Sequence, residues 1–115
     1  MKISTSNFKN IQKICNPVSI CLFPPRGYRG HEFKDLAPDL ELFTKYKNKQ
    51  IDKYEFEYIF LEKLHSKFEP KELIKILQEK FGNEMTLLCY EPKGEFCHRH
   101  LVANFLSSEI EVLEL

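Results

Sequence analysis

The chain reads as an α/β protein: a single compact domain over residues 1–115, with a mainly parallel sheet and helices on both faces. Three observations predict this. Two short apolar runs, VSICLF (18–23) and MTLLCY (85–90), lack alternation, as strands buried on both faces do. Segments with helix start and stop signals lie between them. Another helical segment then leads to an alternating stretch at 110–115. Strands interleaved with helices favour parallel pairing with the helices packed over the sheet.

In chain order, residues 2–5 are a strand candidate, and Ser6 or Asn7 is placed to cap a short helix over 8–14. Asn16-Pro17 stops that helix. The 18–23 run follows as a strand, ended by Pro24-Pro25 because proline has no N–H to give to a ladder. Residues 26–31, RGYRGH, read as a polar loop. A helix is expected from about Pro38 to Lys47. Asp52 with Glu55 three residues on forms a capping box for the next helix, which runs to about Lys67. Its apolar face is expected to carry Tyr54, Tyr58, Leu61 and Leu64, widened by Phe56, Ile59 and Phe60.

Pro70 suits a helix first turn, Leu73, Ile74, Leu77 and Phe81 share one face, and Gly82-Asn83 is the stop. After the 85–90 strand, residues 97–106 are helical with Leu101, Val102, Phe105 and Leu106 inward. The acidic positions of 110–115 suit an edge strand.

Net charge is zero, which argues against a broad basic face for duplex nucleic acid. The charge is uneven, however: residues 1–50 hold nine Lys/Arg against four Asp/Glu, and residues 51–115 hold eight against thirteen. No stretch approaches the roughly 18 consecutive apolar residues of a membrane span. The opening MKISTSNFKN lacks the apolar centre of a secretory signal, so a cytoplasmic location is expected, with the four cysteines reduced. Cys15 and Cys21 read as core thiols.

Reactive side chains gather in LLCYEPKGEFCHRHLVANFL, residues 87–106. Ligands of parallel sheets lodge outside the carboxyl ends of the strands. If the strands ending near Cys21 and Cys89 are neighbours, their following loops face each other. Cys97 at a helix start would feel unsatisfied N–H groups that stabilise a thiolate. His98 exchanges a proton near neutral pH. Arg99 and Arg26 suit an anion, and Glu91 suits either the orienting of a histidine or a substrate hydroxyl. Arg99 paired internally with Glu91 or Glu95, and Cys89 as a buried hydrophobe, are the plain structural alternatives.

No metal is expected. Cys89, Cys97, His98 and His100 are zinc-type ligands, but the cysteine spacing is wrong for a compact finger, and successive helix residues diverge by about 100°. No cofactor is expected either, since there is no Walker loop, GxGxxG or nucleophile elbow.

The strand ending Pro24-Pro25-Arg26, the LAPD at 36–39 and above all the 87–106 stretch resemble the domain-of-unknown-function 488 family, over roughly residues 3–106. Its members show an LLCxE strand, a short loop and a Cys-His-Arg helix start. Cys89, Glu91, Cys97, His98 and Arg99 stand on those positions, whereas His100 stands where relatives carry a small residue. The resemblance implies a compact α/β domain of bacteria and phages, and favours Cys97, His98 and Arg99 as a functional cluster.

The leading expectation is a pocket for an anionic small molecule, nucleotide-like or a nucleic-acid end. Cys97 and His98 would serve a hydrolytic or transfer step there, with Arg26, Cys89, Glu91 and Arg99 as ligand-binding residues. A protein-interaction module using Tyr54, Tyr58 and Phe60 is the second. Thiol redox work by Cys89 and Cys97 is the third, decided by a thiol count with and without reductant.

Overall fold

A computed structural model describes residues 1–91 and 96–115. Its strands are β1 (Lys2–Asn7), β2 (Pro17–Ser19), β3 (His31–Glu32), β4 (Glu84–Cys89) and β5 (Val112–Glu114). They form one sheet in the order β3-β2-β4-β1-β5, parallel throughout. The α-helices are α1 (Leu40–Lys47), α2 (Lys53–Lys67), α3 (Pro70–Phe81) and α4 (His98–Leu106). The α/β class with a parallel sheet follows directly, and no helix among the described residues is long and apolar enough to cross a membrane.

Register partners in a parallel sheet point to the same side, so the pairings sort the faces. Ile3, Met85 and Val112 share one side with Thr5, Leu87, Val18 and Glu114. That side carries the main core, joined by Phe56, Phe60 and Leu64 of α2, Leu73 and Leu77 of α3, and Leu101, Val102 and Phe105 of α4. Helices α2 and α3 both pack on α4, which touches β1 and β4. The opposite side holds Ser4, Ser6, Thr86, Ser19 and Leu88. A 3-10 helix, Phe8–Lys13, serves that side: Asn10 Nδ2 donates to Ser6 Oγ at 2.9 Å. The expected cover on both faces is thus unequal, with α-helices on one and a 3-10 helix on the other.

The helix signals act as expected. Asp39 and Asp52 cap α1 and α2, their carboxylates accepting from the Leu42 and Glu55 backbone N–H at 2.8 and 2.9 Å. Asn7 caps the 3-10 helix by accepting from Lys9 N–H. Gly82 ends α3 at φ 96°, a conformation that costs other residues a Cβ clash.

Four expectations are corrected. The 18–23 strand is only Pro17–Ser19, although Ile20 N–H still reaches Leu88 O at 3.0 Å. Beyond it, Ser19 Oγ accepts locally from the Cys21 N–H and the chain leaves the ladder before the prolines. The loop expected over 26–31 gives way to β3, which pairs His31 with Val18. Cys15 is exposed rather than in the core. On α2, Phe56, Phe60 and Leu64 form the inward stripe, while Tyr54 and Tyr58 stand 69% and 70% exposed. The two stripes have the same spacing. The one without phenol hydroxyls buries at lower cost.

Candidate functional site

Strands β2 and β4 are neighbours, with Val18 beside Leu87 and Ser19 beside Leu88. The chain leaving β2 turns outward to β3, and the chain leaving β4 passes through α4 to β5 on the far side of β1. Divergent connections at adjacent strands open a crevice at the carboxyl edge. The two loops meet there, with the Tyr90 hydroxyl donating to the Phe23 carbonyl.

Each reactive group has a local reason for its place. Cys89 is the last residue of β4, and Cys21 lies two residues past the end of β2. Cys97 is the N-cap of α4 with φ −155° and ψ 145°, so it is extended while His98 is helical. Cys97 therefore escapes the divergence of about 100° between successive helix residues. The Cys89 and Cys97 sulfurs and a His98 ring nitrogen all lie within 4.8 Å of one another, all three residues buried. Cys21 joins the two sulfurs in a small cluster against Phe8, and its Sγ lies 3.2 Å from Ser19 Oγ.

His98 is fixed at both nitrogens. Nε2 donates to the Ile20 carbonyl at 2.5 Å, which leaves Nδ1 facing Cys89 Sγ at 3.5 Å. Phe60 packs against the ring at 5.6 Å between centroids.

The two sulfurs behave as a pair. The hydrogen bond from the Cys89 S–H lowers the pKa of Cys97, His98 and the Arg99 backbone N–H lower it further, and burial opposes them. The same bond, reinforced by burial, raises Cys89. The directions are opposed, so Cys97 is the sulfur favoured as thiolate and Cys89 the one favoured as thiol. Burial raises Cys21, in keeping with a neutral thiol.

Cys21, Cys89, Cys97, His98 and Glu91 line one cavity of about 1120 Å³. Among its walls are the rings of Phe23, Phe43, Tyr46, Phe56, Tyr90 and Phe96, which sequence reasoning did not single out. Tyr46, Phe56 and Phe96 pack mutually at 5.0 to 5.7 Å between centroids. Lys47, Lys49 and Lys53 also border the cavity, with Asp52 and Glu55. Their clustering between 46 and 56 is visible in the sequence as an aromatic and lysine-rich turn, but only the fold brings it over Cys97.

Two expected ligand-binding residues lie elsewhere. Arg26 is exposed in the loop after β2 and is not part of the lining. Arg99 is fully buried and is also outside the lining. It pairs with Glu114 of β5, donating from Nη2 to Oε2 at 2.7 Å and from Nε to Oε1 at 3.2 Å. Glu91 is not that partner, and Glu95 lies outside the described residues. Thr5 donates to Glu114 Oε1 at 2.5 Å. Burial is the largest single influence and works against both charges, but the pair's hydrogen bonds, the Thr5 bond and the neighbouring charges together outweigh it, raising Arg99 and lowering Glu114. His100 lies close enough to Glu114 to help lower its pKa.

The family model DUF488-N3a, described as the active DUF488-N3 subclade, matches residues 9–110. The chain belongs to this DUF488 family. The match spans the sheet strands β2 to β4, all four α-helices and the whole cysteine–histidine cluster, as the 87–106 motif predicts. No curated protein and no solved structure matches the chain.

Proposed function

We propose that the cavity binds an anionic, nucleotide-like ligand or nucleic-acid end and presents it to Cys97 and His98 for a hydrolytic or transfer step. The observation that carries the reading is one cavity in which aromatic walls, lysines and a cysteine of lowered pKa converge. Aromatic faces hold bases by stacking whatever their sequence, and lysines neutralise phosphate. A volume of about 1120 Å³ admits a nucleotide. The anion-holding role passes from Arg26 and Arg99 to Lys47, Lys49 and Lys53. Glu91 stands where it would accept from a sugar hydroxyl, and the acidic Asp52 already spends one oxygen on the Glu55 N–H.

In the step, Cys97 Sγ bonds to the electrophilic centre as the leaving group departs with its electron pair. The Cys89–His98 pair supplies the leaving group's proton, and water or an acceptor hydroxyl then displaces the sulfur and returns its proton to the pair.

Calorimetric titration of the metal-stripped protein with 5′-mononucleotides and with inorganic phosphate tests this. Expected are nucleotide affinities well above that for phosphate, weakened by salt, by Lys49→Glu and by Phe96→Ala. Absence of binding by any mononucleotide at millimolar concentration would remove the reading. The interaction module is the second reading. The exposure of Tyr54 and Tyr58 favours it, but Phe60 is buried, which leaves only two rings a helical turn apart.

A further inference from the structure

We propose that Cys89, Cys97 and His98 form a site for Zn²⁺, with a fourth coordination position turned toward the cavity. The inference goes beyond the ligand reading and does not require it.

The geometry carries it first. Tetrahedral zinc binds sulfur at about 2.3 Å and imidazole nitrogen at about 2.0–2.1 Å, which sets a sulfur–nitrogen edge of about 3.5 Å. Cys89 Sγ and His98 Nδ1 are 3.5 Å apart, and all three donor atoms lie within 4.8 Å of one another. A small rotation of the Cys97 side chain at the N-cap closes the triangle.

The surroundings carry it next. A metal-binding histidine usually donates its other N–H to a carbonyl or carboxylate, which fixes the tautomer. His98 does so to Ile20 O at 2.5 Å, leaving Nδ1 as the donor atom toward the sulfurs. Two thiolates and an imidazole are the soft and borderline donors that select zinc over magnesium or calcium.

Cys21 is near, but it is held by Ser19 and is not one of the three mutually close donors. Three protein ligands with an open fourth position is the pattern of reactive rather than purely structural zinc. With zinc bound, Cys97 is a ligand and no longer a free nucleophile. Metal content thus decides whether its sulfur is available.

The test uses the full chain, reduced, stripped with chelator and titrated with Co²⁺ and then Zn²⁺. Expected are one equivalent of Co²⁺, intense tetrahedral d–d bands with a thiolate charge-transfer band, and displacement by Zn²⁺. Cys89→Ser, Cys97→Ser and His98→Ala should each weaken Zn²⁺ by more than about 100-fold, whereas Cys15→Ser and Cys21→Ser should not. Should these variants fail to fold, the native chain alone still decides: Zn²⁺ must protect Cys97 from alkylation and raise the melting temperature. A weak octahedral Co²⁺ spectrum, or alkylation of Cys97 unaffected by Zn²⁺, overturns the site. Loss of binding in Cys21→Ser overturns the open fourth position. Mononucleotide binding is measured on the metal-stripped chain, so each reading can fail alone.

Discussion

Replacing Cys89 by alanine probes the sulfur pair where its chemistry is decided. The Cys89 S–H bond is the largest influence lowering Cys97, and burial stands against ionisation. A hydrogen bond to a charged group contributes about 1.5–3 kcal/mol. Since about 1.4 kcal/mol moves a titration midpoint by one pH unit, Cys89→Ala should raise the Cys97 midpoint by about one to two pH units. Serine at position 89 keeps a hydroxyl donor, so it should restore most of the difference. Alanine removes one sulfur from a buried cluster, a change too small to unfold the domain.

The assay is iodoacetamide alkylation of Cys97 across pH, read by mass spectrometry with chelator and reductant present. A Cys15→Ser background removes the exposed thiol from the reading. Cys97 is only 4% exposed, so absolute rates will be low, but the midpoint comes from the shape of the pH curve and not from its height. A native midpoint at the ordinary value of about 8.5, or an alanine variant that superimposes on the native chain, would refute the pairing.

Two further outcomes test the framework. Glu114→Gln leaves the fully buried Arg99 without its counter-charge; breaking a buried pair costs about 3–5 kcal/mol. Water reaching the 19% exposed Glu114 side chain places the loss near the lower end of that range, measurable by urea unfolding. Because the folded Glu114 pKa is lowered, its contribution is present above the ordinary glutamate value and is lost as pH falls through the folded value; the glutamine variant should lack this acid dependence. Replacing Tyr54 and Tyr58 by serine should change stability by less than about 0.5 kcal/mol, since both rings are exposed. A larger loss would mean that they pack.

Local signals made much of the fold legible. Asp52 with Glu55, Pro70 and Gly82 each act within a few residues, and each bounds the helix it announces. The 87–106 stretch announced its site because a strand end, a loop and a helix start are adjacent in the chain. What escaped was long-range. Strand β3 is two residues paired with β2 at the sheet edge, and no composition marks it. The partner of Arg99 sits on β5, brought beside α4 by pairing to β1. Nothing in a one-dimensional reading distinguishes Glu114 from Glu91 as its counter-charge. The mutual approach of Cys97 and His98 depends on one extended dihedral pair at the N-cap, which the residue types alone do not dictate.

The position of Glu114 links completion of the fold to the electrostatics of the site. Arg99 is the residue after His98, so its charge enters the core as soon as α4 docks. Docking β5 brings Glu114 to Arg99 Nη2 at 2.7 Å, while the Cys97 and Cys89 sulfurs also act on the Arg99 charge. A three-residue edge strand thus supplies the counter-charge of an arginine that shares its field with the buried thiols.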